Sequence, residues 1–182
     1  VGSVLQHLLH LYLEQAGLTE KDVQIVNLTS SEGFIALTSK HVDAIVSEEP
    51  YLQLGEFNKV GKIIAFADGL KYFTSPLLVT NAFADKHPDL VKKAVSIYAK
   101  AQRWAKEHPQ EAADIVTKEF KLPKDVLINV IRKSHVSINL DSATVKANQA
   151  TLAYLQETRV VRNQPNLNEF YAPQYLKELK LQ

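Results

Sequence analysis

The chain has 182 residues, of which 46% are hydrophobic and 23% charged. That is the balance of a folded protein with room for one α/β domain or two small lobes, and it excludes disorder and collagen-like repetition. With 21 Lys and Arg against 20 Asp and Glu, no broad field exists to recruit nucleic acid or an anionic membrane, and a small or specifically matched partner is expected. The absence of cysteine excludes disulfides, thiolate chemistry and cysteine-based metal sites.

Methionine is also absent and the sequence opens on Val1, which sets the expectation of a processed, excised or recombinant chain. The apolar stretches at 8–13 and 63–67 are short and interrupted, well below the ~20 residues of a membrane-spanning helix.

In chain order, Val4, Leu5, Leu8, Leu9, Tyr12 and Leu13 recur at helical spacing, with Ser3 placed to cap the start and Gly17 to close the end. Val23 to Leu28 reads as a short buried strand, followed by Thr29-Ser30-Ser31 as the cap of a helix from about Glu32 to Ser39. Residues 42–46 form a second strand, Pro50 suits the first position of a short helix, and residues 61–67 form a third strand. Helix and strand therefore alternate, which predicts an α/β fold with a mostly parallel sheet. Such a sheet calls for a further strand ahead of Gly2.

Residues 76–80 give one more strand, and helices are predicted thereafter over 89–108, 109–120, 123–134, 142–157 and 168–179. Charge divides at the same place: residues 1–75 carry a net −4 and residues 76–182 a net +5. Two units, 1–75 and 76–182, are expected. No internal repeat or low-complexity tract competes with this division.

Several residues can carry chemistry. Gly2 and Ser3 at a helix start suit an anion cradle, because glycine admits close backbone approach and the first-turn amides are unpaired; by itself the signal is weak, and an ordinary N-cap with a preceding glycine is the favoured alternative. His7 lies one turn along. Glu48 and Glu49 follow a strand at the edge where α/β crevices bind ligands, and a solvated or capping role is the alternative. Thr74 and Ser75 offer hydroxyls at the change of segment, with turn chemistry as the alternative and Tyr72 and Phe73 as a neighbouring aromatic wall or core pair. The six histidines form no compact ligand set, and His87 and His108 stand before Pro88 and Pro109, where they suit helix initiation. No glycine-rich phosphate loop, nucleophile elbow or dinucleotide fingerprint occurs, so no cofactor and no metal is expected.

The segments GSVLQHLLHLYLEQAGL, VQIVNL, FIALTSKHVDAIVSEEP, TSPLLVTNAFADKHPDLVKKAV, WAKEHPQEAADIVTKEF and NLNEFYAPQYLKEL follow one another over nearly the whole chain. In this order they resemble the nitrate/sulfonate/taurine-type periplasmic solute-binding proteins of ABC transporters, grouped with NMT1/THI5-like proteins. The resemblance implies a two-lobed fold of the periplasmic binding protein-like type II class. In that fold residues 2–72 make most of lobe two and residues 76–182 the returning part of lobe one. About a hundred residues, comprising the front of lobe one and the first crossing strand, would lie outside this sequence.

By the same resemblance, Gly2, Ser3, His7, Glu48, Glu49, Thr74 and Ser75 are the ligand-facing positions. The family commonly has an aromatic residue, then Glu and Pro, where this chain has Glu48-Glu49-Pro50. An acidic Glu48-Glu49 pair beside the cleft weakens the case for a simple sulfonate or nitrate and leaves a pyrimidine, an amine-bearing metabolite or a zwitterion open. The implied partners are a small anionic or zwitterionic solute, an ABC transporter permease, and the N-terminal portion of the protein or a complementary chain. The implied location is the periplasm or, lipid-anchored, the outer face of the cell membrane. A THI5-like pyrimidine-forming enzyme and a ligand-sensing domain without transport are the competing readings.

Overall fold

A computed structural model describes residues 2–67, 76–120, 122–133, 138 and 140–177. The chain divides into two compact units, one made of Val1–Phe73 with Lys146–Gln164 and the other of Thr74–Val145 with Pro165–Gln182.

In the first unit, α1 (Val4–Gln15) starts at Ser3, whose hydroxyl accepts the N–H of Gln6. α2 (Ser30–Thr38) starts in a full capping box, with the Thr29 hydroxyl accepting from the Glu32 N–H and the Glu32 carboxylate accepting from the Thr29 N–H. Those bonds, the backbone one foremost, hold the Glu32 carboxyl below its ordinary range. α3 (Tyr51–Phe57) is a two-turn helix for which Pro50 is the N-cap rather than the expected first helical residue. α2 packs on α3. Gly33 of α2 faces Ile45, and a Cβ there would lie 3.7 Å from its Cγ2.

Three helices of this unit end in the same way. Gly17, Lys40 and Lys59 each adopt a left-handed conformation just past α1, α2 and α3. The N–H of the next residue then returns to the third-last carbonyl: Leu18 to Leu13, His41 to Ala36 and Val60 to Gly55. Glycine at 17 meets this demand without strain, whereas lysine at 40 and 59 carries a Cβ into an unfavourable region.

The second unit holds α4 (Asn81–Lys86), α5 (Pro88–Glu107), α6 (Pro109–Phe120) and α7 (Lys124–Lys133). α5 and α6 start at the two prolines that follow histidine, as expected from proline at the first helical position. Ala113, Leu127 and Ile128 form the core of α6 and α7, with Val116, Leu122 and Ile131 packed around them. α5 turns Val91 and Val95 inward. Its Leu90, Ala94, Ile97, Ala101 and Trp104 recur at helical spacing on an exposed stripe. At the end of α5 the Trp104 indole stacks on His108 at 5.2 Å and 22°, and His108 Nδ1 lies 3.5 Å from the Glu111 carboxylate. α8 (Ser142–Glu157) starts in the second unit and continues into the first.

Two expectations are corrected. Among the described residues no sheet ladder forms, so the strands read at 23–28, 42–46, 61–67 and 76–80 are not paired. A buried apolar run specifies a wish for cover, but a strand exists only when a neighbour takes its N–H and C=O groups. Val26, Ile64 and Leu78 are 51%, 91% and 82% exposed, so that cover is lacking here. The helix expected over 168–179 is instead two short 3-10 turns, Leu167–Phe170 and Pro173–Tyr175. Pro173 supplies no N–H and breaks the run.

Candidate functional site

The start of α1 is built from local bonds. Gly2 has φ +75, and a Cβ at this position would lie 2.9 Å from Val160 Cγ1, so both backbone and space favour glycine. The Gly2 N–H donates to Gln6 Oε1 at 2.7 Å, while the Gln6 N–H donates to Ser3 Oγ at 3.3 Å. This is a reciprocal cap displaced by one residue from the usual box. Among the described residues the N–H groups of Ser3, Val4 and Leu5 have no protein acceptor. They are the orphan donors of a helix start, and with the helix dipole they suit an anionic oxygen.

His7 is placed behind this turn. It is 7% exposed, its Nδ1 is 3.2 Å from Thr151 Oγ1, and its ring stacks on Tyr154 with centroids 4.6 Å apart. The Tyr154 hydroxyl donates to Glu20 Oε1 at 2.9 Å. Burial first, then the hydrogen bond and charge of Glu20 and the charge of Glu157, push this phenol well above the ordinary tyrosine range. Gln6 Nε2 donates to the other oxygen, Oε2, at 3.4 Å, and His10 Nδ1 lies 3.8 Å from Oε1. Glu20 therefore joins α1 to α8.

Glu48 and Glu49 form a second cluster. Glu48 is exposed, and its Oε1 accepts from Ser30 Oγ at 2.6 Å. Glu49 turns toward α3: its Oε2 accepts the Gln53 N–H and its Oε1 accepts Gln53 Nε2, both at 3.2 Å. This satisfies an orphan donor of the α3 start, the capping role that a glutamate serves as readily as ligand binding. The peptide bond between Glu49 and Pro50 is cis. Beside them the Ser47 hydroxyl is buried, with no hydrogen-bond partner among the described residues. Thr74 and Ser75, with Tyr72 and Phe73, lie outside the described residues.

The hydrogen bonds thus gather Gly2, Ser3 and His7 at the α1 end and set Glu48 and Glu49 at the ends of α2 and α3. A shallow groove of about 420 Å³ lined by Gln156, Arg159, Val161 and Arg162 contains none of these residues. Sequence reasoning missed Gln6, Glu20, Tyr154 and Ser47. The Ser3-x-x-Gln6 spacing is a legible capping signal, but nothing in the sequence links Glu20 to Tyr154, 134 residues away. Among the described residues no group of three or more His, Asp or Glu side chains is arranged to hold a metal ion, and no helix is long and apolar enough to cross a membrane.

Over 159 residues the chain is 29% identical to a Bacillus subtilis (strain 168) protein named as an aliphatic sulfonates-binding protein, covering 86% of this chain and 48% of that protein. An Escherichia coli (strain K12) protein of the same name is 22% identical over 172 residues, covering 92% of this chain and 53% of its own length. These curated relatives are binding proteins, and the chain spans about half their length. In structure, the chain is similar to the periplasmic aliphatic sulphonate binding protein SsuA from Escherichia coli. The TM-score is 0.82 and the identity 20%, over 93% of this chain and 56% of that one. It also resembles a periplasmic sulfonate-binding protein SsuA from Methylobacillus flagellatus KT, with TM-score 0.70 and 25% identity over 99% of this chain and 58% of that one. Residues 1–112 match the family described as NMT1/THI5 like, and the chain belongs to that family.

Proposed function

We propose that this chain is part of an extracytoplasmic receptor that captures a small anionic or zwitterionic solute and delivers it to an ABC transporter permease. The observation that carries the reading is the unspent hydrogen-bonding capacity at the start of α1, where the N–H groups of Ser3, Val4 and Leu5 have no acceptor among the described residues. Membership of the NMT1/THI5 like family and likeness to named sulfonate-binding proteins support it.

In this reading Gly2 and Ser3 receive the anionic group while His7 supports their turn from the α8 side. Glu48, Glu49, Thr74 and Ser75 complete the ligand's surroundings, and an exposed Glu48 attracts a cationic group on the same solute. The buried Ser47 hydroxyl is a further donor that a ligand would satisfy. The receptor is two-lobed, with 1–75 in one lobe and the returning segment 76–182 contributing to the other, apart from Lys146–Gln164, which groups with the first. Its N-terminal portion, or a complementary chain, covers the apolar residues left open at Ile64, Leu78 and the α5 stripe. It works in the periplasm or on a lipid anchor outside the membrane.

The test is calorimetric titration of the full-length natural polypeptide with ethanesulfonate and with 2-aminoethanesulfonate. Binding of either, weakened by Ser3→Ala, with Glu48→Gln eroding the preference for the amine, is the expected result. No binding of either probe overturns the solute-capture reading. Recovery of a chemically altered ligand assigns the protein to THI5-like enzymes instead.

A further inference from the structure

Glu20 stands outside every functional position read from the sequence, yet three groups converge on its carboxylate. Oε1 accepts the Tyr154 hydroxyl at 2.9 Å and lies 3.8 Å from His10 Nδ1. Oε2 accepts Gln6 Nε2 at 3.4 Å. The other end of the Gln6 amide accepts the Gly2 N–H at 2.7 Å. Tyr154 in turn stacks on His7 at 4.6 Å and meets the His10 ring at 4.9 Å with the planes tilted by 39°. One carboxylate thus orients the Gln6 amide, oxygen toward Gly2 and nitrogen toward itself. The Gly2 N–H demands the same orientation, so Glu20 anchors the far end of an amide whose near end Gly2 already engages.

We propose that Glu20 is a positioning residue for the first turn of α1. Through Gln6 it holds the Gly2 N–H, and through Tyr154 it holds the adjoining turns of α1 on α8. The free N–H groups of Ser3, Val4 and Leu5 are thereby aimed before a solute arrives. This rests on the reading that the start of α1 faces the solute. A preset cradle loses less conformational freedom on binding than one that must form around its ligand.

Glu20→Gln tests it, because both oxygens of Glu20 accept, and a primary amide must turn its N–H₂ toward one of those donors. In the full-length polypeptide the variant moves the amide resonance of Gly2 and the side-chain amide resonances of Gln6. It also weakens ethanesulfonate about tenfold, equivalent to ~1.4 kcal/mol. Gln6→Met removes both the acceptor of the Gly2 N–H and the donor to Glu20 while leaving Tyr154 on Glu20; if Glu20→Gln fails to fold, it is expected to weaken ethanesulfonate by a similar factor, and unchanged affinity overturns the proposal.

Asp22→Ala is the control for general destabilisation. It breaks the bonds from the Thr19 N–H and hydroxyl, both 2.8 Å, in the same turn as Glu20. It leaves the Gly2 resonance and the affinity in place. Unmoved Gly2 and Gln6 resonances in Glu20→Gln, or equal loss of affinity in both variants per degree of lost stability, overturn the proposal. If the unaltered protein binds no sulfonate, the solute-capture reading fails while the resonance shifts still decide the positioning role.

Discussion

Two junctions between helices, one in each unit, are held by different physics. α6 and α7 meet through Ala113, Leu127 and Ile128, an apolar contact in which the Lys124 to Asp114 ion pair, half exposed on both sides, counts for little. α1 and α8 meet through a histidine ring, a phenol and a carboxylate. An apolar junction is non-directional and tolerates exchange of one aliphatic group for another of similar size. The polar one is worth having only while every member keeps its partner, since an orphaned buried group costs more than its bond contributed. The first kind gives adhesion, and the second gives register.

The largest break in this comparison comes from the apolar side. Leu127→Ala leaves a cavity between α6 and α7 and is expected to cost about 2–5 kcal/mol in denaturant unfolding followed by circular dichroism, while the α1–α8 resonances stay in place.

Tyr154→Phe attacks the polar side and costs about 1–2 kcal/mol, because the ring still packs while Glu20 loses a donor. It also has a pH signature. The folded pKa of Tyr154 lies above its unfolded value, so its contribution is fully present below about pH 10 and is lost as pH rises beyond that. Stability measured from pH 8 upward falls more steeply in the unaltered protein than in Tyr154→Phe. Parallel curves would show that burial and Glu20 together do not raise the phenol in the folded chain.

The smallest effect sharpens the contrast by touching neither junction. Lys40→Gly relieves a left-handed lysine and raises stability by about 0.5–1 kcal/mol in the same unfolding assay, with no change at the α1 start.

The contrast also marks what the sequence makes legible. α1, α2, α5, α6, α7 and α8 are readable because each is specified within a few residues, by Ser3, by Thr29 with Glu32, by Pro88 and Pro109, and by apolar spacing. The strands are not, because pairing is a property of two segments and the apolar runs state only one half of it. At the candidate site, Gly2 and Ser3 are visible as a helix start. The burial of His7 depends on Tyr154 and Thr151, 144 residues beyond it in the case of Thr151, and no local pattern reports such a contact. Lys40 and Lys59 carry no signal either, since lysine is not the residue that a left-handed helix end calls for.

Trp104 is the single tryptophan of the chain, and it stacks on His108 where α5 passes into α6. Indole emission excited near its red edge therefore watches the second unit and is blind to the first, whose tyrosines must be followed by absorbance. A fluorescence melt would register the loss of the apolar junction while α1 and α8 still held together. Tyrosine absorbance carries both units, since Tyr98, Tyr171 and Tyr175 belong to the second, so an absorbance change at temperatures where the indole signal is flat is what reports the first unit.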